Sequence, residues 1–392
     1  MLNVRKKFPM LLNNPKLVYF DNAALALKPK MVIKAGNDFY EKYSISSRTA
    51  DSKLGVYTIH KIDETREHIA KLVDANSSEV IFSSGTTDSL NIIARTLTKI
   101  VDKGQILLSY FNHSSNIIPF IELFSQNKDI KINYFSDQKD LLSLIDKDTK
   151  IVALSQITNN FNVKYDLKTI YKKCKKYGTI LINDAAQAIA HERVSLNNCD
   201  VIAFSANKLY GPTGIGALII KNELKSRLEP VKWGGGQVHD IDYCSWTPNN
   251  SNAKFEPGTA NLAGIFQFDA AIDFVNKIGY RKIKEYENAL AEYLYDELSK
   301  LNDVEIRSSR GDTITLFNIK NIPPQDVASY LGNEKGIYVR AGKFCAQMLS
   351  KLSNFANSYI RVSLSIYNNK EDIDKLISAL KEGGDFIEFL FK

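Results

Sequence analysis

Short apolar runs that alternate with longer amphipathic stretches constrain the fold of this chain more than any other feature. Between about residues 60 and 220 the short runs are rich in β-branched residues and end at turn residues, whereas the longer stretches repeat apolar residues at spacings of three and four. The predicted strands are EVIFSS, QILLSY, IVALSQ, TILIND, VIAFSA and GALII, and the predicted helices include IDETREHIAKLV, SLNIIARTL and TIYKKCKKYG. This alternation predicts an α/β domain with a mostly parallel sheet between helices.

Beyond Gly264 the pattern changes to long amphipathic helices and a few short strands. The stretches IFQFDAAIDFVNKI, YRKIKEYENALAEYLYDELSKL and EDIDKLISALKE predict helices, and TITLFNI and YIRVSLSI predict strands. In the second helix one stripe contains Ile283, Tyr286, Leu290, Leu294 and Leu298. We therefore predict a large α/β domain at 18–264 and a smaller α+β domain at 265–392, with residues 1–17 packed on the smaller domain.

Composition limits the possible partners and compartments of the chain. The 392 residues are 44% hydrophobic, and the net charge of +7 is spread along the sequence, so no basic block indicates binding to nucleic acid or to a membrane surface. We expect no leader peptide and no membrane span, and hence a cytoplasmic protein. The four cysteines form no CxxC pair, so neither a metal site nor a disulfide framework is predicted.

One loop has the form of an anion-binding turn. In EVIFSSGTTDSLNIIA, Gly85 follows a predicted strand, and Thr86 and Thr87 open a predicted helix. Glycine lets the backbone approach an anion, and the threonines supply N–H and hydroxyl donors. A Gly-Thr-Thr turn also serves as a plain helix cap, so this loop alone leaves both interpretations open.

Two neighbouring strand ends supply reactive side chains. The strand TILIND ends at Asp184, and VIAFSANK brings Ser205, Asn207 and Lys208 to its end. Ligands of parallel α/β sheets bind at the carboxyl ends of the strands. A lysine amine that bonds to an aldehyde, an acid that pairs with a pyridinium nitrogen and a Gly/Thr/Ser cradle for a phosphate together predict pyridoxal 5′-phosphate as cofactor.

Several motifs resemble one family from end to end. They are YFDNAALALKP, IFSSGTTDSLN, DAAQAIAH, FSANKLYGPTGIGAL, WGGGQ, FEPGTANLAGI, VRAGKFCAQM and YIRVSLSIYN. Together they resemble the class V branch of the fold-type I pyridoxal-phosphate enzymes, and within it the Suf-type (group II) cysteine desulfurases. The resemblance implies the fold-type I architecture, in which a large domain with a mostly parallel sheet is joined to a smaller α+β domain.

The resemblance also implies roles for residues around the cofactor. Lys208 would attach the cofactor and move the Cα proton, and Asp184 would hold the pyridinium N–H. Gln187 would bond the phenolic oxygen, and His113 would stack on the ring. Asn159 would lie beside the ring. The implied phosphate ligands are Thr86, Thr87, Ser205, Asn207 and, from the partner subunit, Thr259, which makes the predicted enzyme a homodimer.

A second implied group of residues handles the substrate. Arg361 would grip the substrate carboxylate, which suits its planar fork. Arg340 and Asn159 would lie near the substrate, and a surface salt bridge is the alternative interpretation of each arginine. Cys345 would be the nucleophile in the glycine-containing loop RAGKFCAQ, where Lys343 or Arg340 could favour the thiolate.

The chain departs from the family pattern at several positions. Asn207 replaces the histidine of the usual SGHK, Ser114 replaces a second histidine, and Lys343 and Phe344 replace paired histidines before the cysteine. Asn207 can still donate a hydrogen bond to phosphate but has no charge. These departures affect the expected rate and pH dependence and leave Lys208, Asp184 and Cys345 in place.

The leading hypothesis is a desulfurase that converts L-cysteine to L-alanine. Sulfur would be held as a persulfide on Cys345 and passed to an acceptor or scaffold protein of iron-sulfur cluster assembly. One alternative is a class V lyase acting on selenocysteine or cysteine sulfinate, or an aminotransferase, none of which needs a sulfur-accepting thiol. A further alternative is a catalytically degenerate protein that binds the cofactor and acts as a scaffold.

Overall fold

The computed structural model describes residues 4–49, 51–353, 355–356 and 358–382. The chain divides into two compact units. The terminal unit comprises Met1–Lys30, Ile157–Val163 and Ile278–Lys392, and the central unit comprises Met31–Gln156 and Lys164–Lys277. The domain limits that we predict from the sequence, 18–264 and 265–392, stay a prediction.

The described residues form fifteen strands, which include all eight of the predicted ones. They are β1 Val18–Tyr19, β2 Val80–Ser83, β3 Gly104–Ser109, β4 Ile130–Phe135, β5 Thr149–Ser155, β6 Ile180–Asp184, β7 Val201–Ser205, β8 Gly216–Ile220, β9 Val238–Ile241, β10 Trp246–Pro248, β11 Val304–Ile306, β12 Ile314–Ile319, β13 Ile337–Tyr338, β14 Arg340–Gly342 and β15 Tyr359–Ser363.

The same part of the chain forms thirteen α-helices. They are α1 Pro9–Asn13, α2 Lys30–Asp38, α3 Lys53–Leu72, α4 Thr86–Leu97, α5 Ile118–Phe124, α6 Gln138–Leu144, α7 Leu167–Tyr177, α8 Ala188–His191, α9 Asn222–Lys225, α10 Leu262–Ile278, α11 Tyr280–Leu298, α12 Pro324–Lys335 and α13 Lys370–Glu382. Within the described ranges, none of these helices combines the length and the apolar character that crossing a membrane requires.

A seven-stranded sheet forms the middle of the central unit, in the order β2-β8-β7-β6-β5-β3-β4. The pairs from β7 through β6, β5 and β3 to β4 are parallel, and β8 runs antiparallel to both of its neighbours. Strands β7 and β8 are buried along their whole lengths. Continuous burial explains why these runs are apolar at every position instead of alternating, and it confirms the predicted mostly parallel sheet.

The terminal unit contains a four-stranded antiparallel sheet in the order β11-β12-β15-β14. Helix α11 packs its predicted stripe into the core of this unit, where Leu290, Leu294 and Leu298 are buried together with Ile360 and Val362 of β15. The β15 strand is buried at all its positions. It therefore delivers its middle residue, Arg361, into the interior of the unit.

Candidate active site

Three polar residues end three adjacent strands of the central sheet. Ser155 ends β5, Asp184 ends β6 and Ser205 ends β7. The sheet register sets Ser155 opposite Asp184, and Asp184 opposite Ala203 of β7. Parallel strands bring their carboxyl ends to one edge, so the predicted acid lies among hydroxyl groups at the edge where ligands of such sheets bind.

Asp184 is a buried carboxylate with few donors around it. One of its oxygens accepts the backbone N–H of Ala186 at 3.0 Å, and the other accepts the Ser155 hydroxyl at 3.4 Å. Burial raises the pKa of Asp184 to about 6, although these two donors and the charge of Lys208 act in the opposite direction. The two hydrogen bonds and Lys208 therefore do not offset the full cost of burying the ionised carboxylate. A cationic N–H placed against Asp184 would stabilise the ionised form.

Lys208 reaches this edge through a short 3-10 turn. The turn covers Ala206–Lys208 directly after β7, and the backbone N–H of Gly211 closes it onto the carbonyl of Ala206 at 2.8 Å. A side chain on Gly211 would place its Cβ 2.8 Å from that carbonyl, so the turn can be this tight only with glycine there. Lys208 and Asn207 are half-buried, and Lys208 lies close enough to Asp184 to influence its ionisation.

The Gly-Thr-Thr loop forms a concave backbone cradle at the same edge. Gly85, with φ of 148°, is the N-cap of α4, and a Cβ on Gly216 would lie 2.7 Å from the Cα of Gly85. The Thr86 hydroxyl is 2.9 Å from that of Ser205. Two of the predicted phosphate ligands are therefore in direct contact at the start of a twelve-residue helix, whose free N–H groups favour an anion.

His113 and Thr87 meet at a residue that sequence reasoning did not select. The Nδ1 atom of His113 accepts the backbone N–H of Ser115 at 3.1 Å, and the Thr87 hydroxyl is 2.8 Å from the Ser115 hydroxyl. Because Nδ1 is an acceptor, the neutral ring has its proton on Nε2. Gln187, which is buried, directly precedes α8.

Thr259 is exposed and lines a cavity of about 420 Å³, whose other lining residues include Arg48, Lys232 and, from the two sides of the Gly-Thr-Thr turn, Ser84 and Asp88. None of Thr86, Thr87 and Ser205 lines that cavity.

The second predicted group lies in the terminal unit and centres on Arg361. Its side chain is 2% exposed. It donates from Nη2 to Oδ1 of Asp21 at 2.6 Å and from Nη1 to the carbonyl of Asn159 at 3.0 Å. Arg340, opposite Arg361 on β14, lies 3.7 Å from the other oxygen of Asp21. Burial lowers the pKa of Arg361, while the charge of Asp21 opposes that effect. The pair of Arg361 with Asp21 is therefore a largely buried ion pair and not a salt bridge on the surface.

Cys345 is exposed on a loop that is fixed through its neighbour Phe344. The Phe344 carbonyl accepts from Nδ2 of Asn159 at 2.7 Å, and its ring lies 4.8 Å from the Arg361 guanidinium carbon. Phe344 and Cys345 have φ of 54° and 56°, in the left-handed region that residues other than glycine rarely adopt. Cys174 and Cys199 are instead buried, which raises the pKa of the Cys174 thiol to about 12.

Sequence reasoning missed Asp21 and Ser155. Asp21 lies within the motif YFDNAALALKP, but no local pattern links it to arginines more than 300 positions away. Ser155 ends a predicted strand, and the rule that strand ends meet at one edge could have identified it.

Comparison with known proteins places this architecture in context. The family model for class V aminotransferases matches residues 18–376. A probable cysteine desulfurase of Ureaplasma parvum is 38% identical, with 97% of each chain covered. A second, of Borreliella burgdorferi, is 34% identical over 97% of this chain and 95% of its own.

Two solved structures are similar over nearly the whole chain. The cysteine desulfurase CsdA of Escherichia coli has a TM-score of 0.89 at 28% identity, with 98% of each chain covered. The cysteine desulfurase of Thermococcus onnurineus has a TM-score of 0.90 at 30% identity, with 97% of each covered.

Proposed function

The chain belongs to the class V aminotransferase family and is a pyridoxal-phosphate-dependent cysteine desulfurase of fold type I, and from that premise we propose that Cys345 is the sulfur-accepting nucleophile. The observation that carries the proposal is the position of Cys345. It is exposed next to Phe344, which contacts the arginine that we expect to bind the substrate. The desulfurase hypothesis is confirmed over the lyase, aminotransferase and scaffold alternatives.

The residues of the central unit fit pyridoxal 5′-phosphate. Asp184 is a buried acid whose burial penalty a pyridinium N–H would offset. The backbone at Gly85 is open to a phosphate, because a Cβ built there would have a single neighbour within 4 Å among the described residues, the Cβ of Ser205 at 3.6 Å. When bound, the cofactor supplies an electron sink for the negative charge that develops at the substrate Cα.

In this proposal the protein groups hold the cofactor and move one proton. The Nζ atom of Lys208 takes the proton from the substrate Cα and returns one at the end of the reaction. Thr86, Thr87, Ser205 and Asn207 would hold the phosphate. His113, whose Nδ1 accepts the backbone N–H of Ser115, would contact the ring, and Gln187 would bond the phenolic oxygen.

The terminal unit would bind the substrate and accept its sulfur. Arg361 binds the carboxylate of L-cysteine, and Asn159 fixes both Arg361 and the loop before Cys345. The Cys345 thiolate attacks the substrate sulfur, so a sulfur–sulfur bond forms and the carbon–sulfur bond breaks. The electron pair stays on carbon, which is protonated, and L-cysteine plus the enzyme thiol gives L-alanine plus the enzyme persulfide.

We further propose a homodimer in which Thr259 reaches the phosphate of the partner's cofactor. Its exposure supports this assignment, because an exposed hydroxyl is accessible to a second subunit. A fully active monomer in sedimentation experiments at micromolar concentration would contradict it. The sulfur would pass to an acceptor of iron-sulfur cluster assembly, and the cytoplasmic location stays a prediction that cell fractionation would test.

The test of the proposed function is the pair Cys345→Ala and Cys244→Ala. Cys244 is the matched control, because it is the other exposed cysteine among the residues described. We expect Cys345→Ala to lower alanine release from L-cysteine by roughly 10³-fold, since covalent catalysis is removed, while cofactor binding remains. Cys244→Ala should keep the wild-type rate.

Mass spectrometry supplies the second measurement. Wild-type protein treated with L-cysteine should gain one sulfur on the peptide that contains Cys345. Release of alanine by Cys345→Ala at the wild-type rate would instead indicate a reaction whose leaving group departs without a thiol.

A further inference from the structure

Strand β2 lies at one edge of the central sheet, and side chains bond two of its backbone groups. Within the described ranges, β8 is the only strand that pairs with β2. The backbone N–H of Phe82 donates to Oε1 of Glu256 at 2.7 Å. The carbonyl of Val80 accepts from Nη1 of Arg66, also at 2.7 Å. Because the backbone groups of an edge strand lack a neighbouring strand on one side, an acid and an arginine from distant parts of the chain take its place here.

Arg66 and Glu256 also bond directly to each other. Nη1 of Arg66 donates to Oε1 of Glu256 at 2.7 Å, and Nη2 donates to Oε2 at 2.9 Å. The two side chains are 11% and 19% exposed, and the guanidinium carbon lies 4.5 Å from the centre of the Phe82 ring. Two parallel hydrogen bonds fix the direction of a side chain as well as its distance. Glu256 is therefore held by α3, which carries Arg66, and by β2.

Thr259 lies three residues beyond Glu256 in the sequence, on a segment that has a second attachment at Gly258. The N–H of Gly258 donates to the carbonyl of Gly235 at 2.8 Å, and the carbonyl of Gly258 accepts from Nη2 of Arg48 at 3.3 Å. Gly258 has φ of 88°, a conformation that glycine adopts most readily. The exposed Thr259 therefore follows a short segment that is fixed at Glu256 and again at Gly258.

The strand that Glu256 bonds leads into the Gly-Thr-Thr turn. β2 ends one residue before Ser84, which precedes Gly85, the N-cap of α4. Ser84 and Thr259 line the same cavity of about 420 Å³, and Glu256 lines it as well. Because Glu256 bonds the backbone of this strand, it fixes the position of Thr259 relative to the turn.

We propose that Arg66 and Glu256 are positioning residues, which hold Thr259 in place relative to the Gly-Thr-Thr turn and so increase the affinity for the cofactor phosphate. The inference rests on the proposed function, in which the turn binds the phosphate of its own subunit and Thr259 reaches that of the partner. In such a homodimer each chain contributes to both sites, so one ion pair serves two phosphates. Both residues act through Thr259 and not by contact with the phosphate.

The experiment measures how strongly the full chain distinguishes pyridoxal 5′-phosphate from pyridoxal, which lacks the phosphate. Dissociation constants of both aldehydes come from the absorbance of the bound chromophore during titration. We expect Glu256→Gln to weaken the binding of pyridoxal 5′-phosphate about tenfold, while the constant for pyridoxal stays within about twofold of the wild-type value. The ratio of the two constants is informative because a general loss of structure would weaken both ligands alike.

The matched control is Asp296→Asn in the terminal unit. Asp296 accepts two hydrogen bonds from Arg310, at 2.8 and 2.9 Å, so the variant loses a pair of the same kind. It should leave the ratio unchanged. An unchanged ratio in a folded Glu256→Gln protein, judged by its thermal transition, overturns the inference. If Glu256→Gln does not fold, Arg66→Lys decides, because lysine keeps the charge without the planar fork and must change the ratio in the same direction.

Thr259→Ala separates this inference from the proposed function. If this variant keeps the wild-type ratio, Thr259 does not bind the phosphate, and the proposed role of Thr259 fails together with the inference. If Thr259→Ala changes the ratio and Glu256→Gln does not, only the inference fails. If both change it, the double variant should stay within about twofold of Thr259→Ala, and two losses that multiply would overturn the inference.

Discussion

In each unit a charged side chain of the proposed site is buried, Asp184 in the central unit and Arg361 in the terminal unit, and the two side chains differ in how their charge is compensated. Asp184 in the central unit accepts one backbone N–H and one hydroxyl, and its pKa is raised to about 6 by burial. Arg361 in the terminal unit is paired with an acid at 2.6 Å. The difference shows that the proposed cofactor site stays electrostatically incomplete until the cofactor binds, whereas the proposed substrate site is largely balanced beforehand.

The largest expected change in stability follows from replacing Arg361, whose charge is paired with Asp21. Arg361→Met should destabilise the protein by about 3 to 4 kcal/mol, because it leaves Asp21 without its main partner. Arg361→Lys keeps a charge at this position and should cost less. Urea unfolding measures both changes, and a wild-type transition for Arg361→Met would show that the pair contributes nothing.

Removal of the charge of Asp184, in contrast, should increase the stability of the apoprotein. Because the folded-state pKa of Asp184, about 6, exceeds its ordinary value of 3.8, its contribution to stability is full below about pH 4 and is lost as the pH rises through about 6. Asp184→Asn should therefore stabilise the apoprotein at pH 8 by about 2 to 3 kcal/mol, while desulfurase activity is lost.

The matched measurement for Asp184→Asn is unfolding at pH 4 and pH 8, with and without added pyridoxal phosphate. At pH 4 the free energy of unfolding of the variant should exceed that of the wild type only slightly. At pH 8 the difference between the two proteins should become smaller when the cofactor is added, because the wild type binds the cofactor more tightly and is stabilised more. Equal stability of both apoproteins at pH 8 would mean that the protein already compensates the acid.

The smallest effect should come from the hydroxyl that partly compensates Asp184. Ser155→Ala removes a long hydrogen bond, 3.4 Å, and should raise the pKa of Asp184 further. Less of the acid is then ionised near pH 6, so the affinity for pyridoxal phosphate should fall about threefold there and less at pH 8. Ser155→Thr keeps the hydroxyl and serves as the control; a loss equal at both pH values would indicate a packing defect.

The sequence predicts the central sheet well because its strands are apolar throughout and end at turn residues. Strand β4, Ile130–Phe135, was missed, since it lies at the sheet edge and Lys131 is exposed. The hairpin of β9 and β10 was missed as well, because β9 is exposed at every position and lacks a buried face. Helix α3 begins at Lys53, nine residues before the predicted start at Ile62, because exposed apolar residues such as Leu54 and Val56 obscure its period.

The candidate site is predictable where it depends on local rules. Strand ends and a glycine turn are sufficient to select Asp184, Lys208 and Thr86. The partners of Arg361 are not predictable in this way, because Asp21 and Asn159 approach it only through the packing of distant segments. The aromatic contact of Phe344 with Arg361 is likewise a tertiary property.

The left-handed backbone at Phe344 and Cys345 has an evolutionary consequence. A residue other than glycine, asparagine or aspartate pays roughly 1 kcal/mol to hold positive φ. Selection for stability alone would therefore favour glycine or asparagine at position 345. We expect a lineage that no longer needs sulfur transfer to lose this cysteine early, before the buried residues of the same unit change.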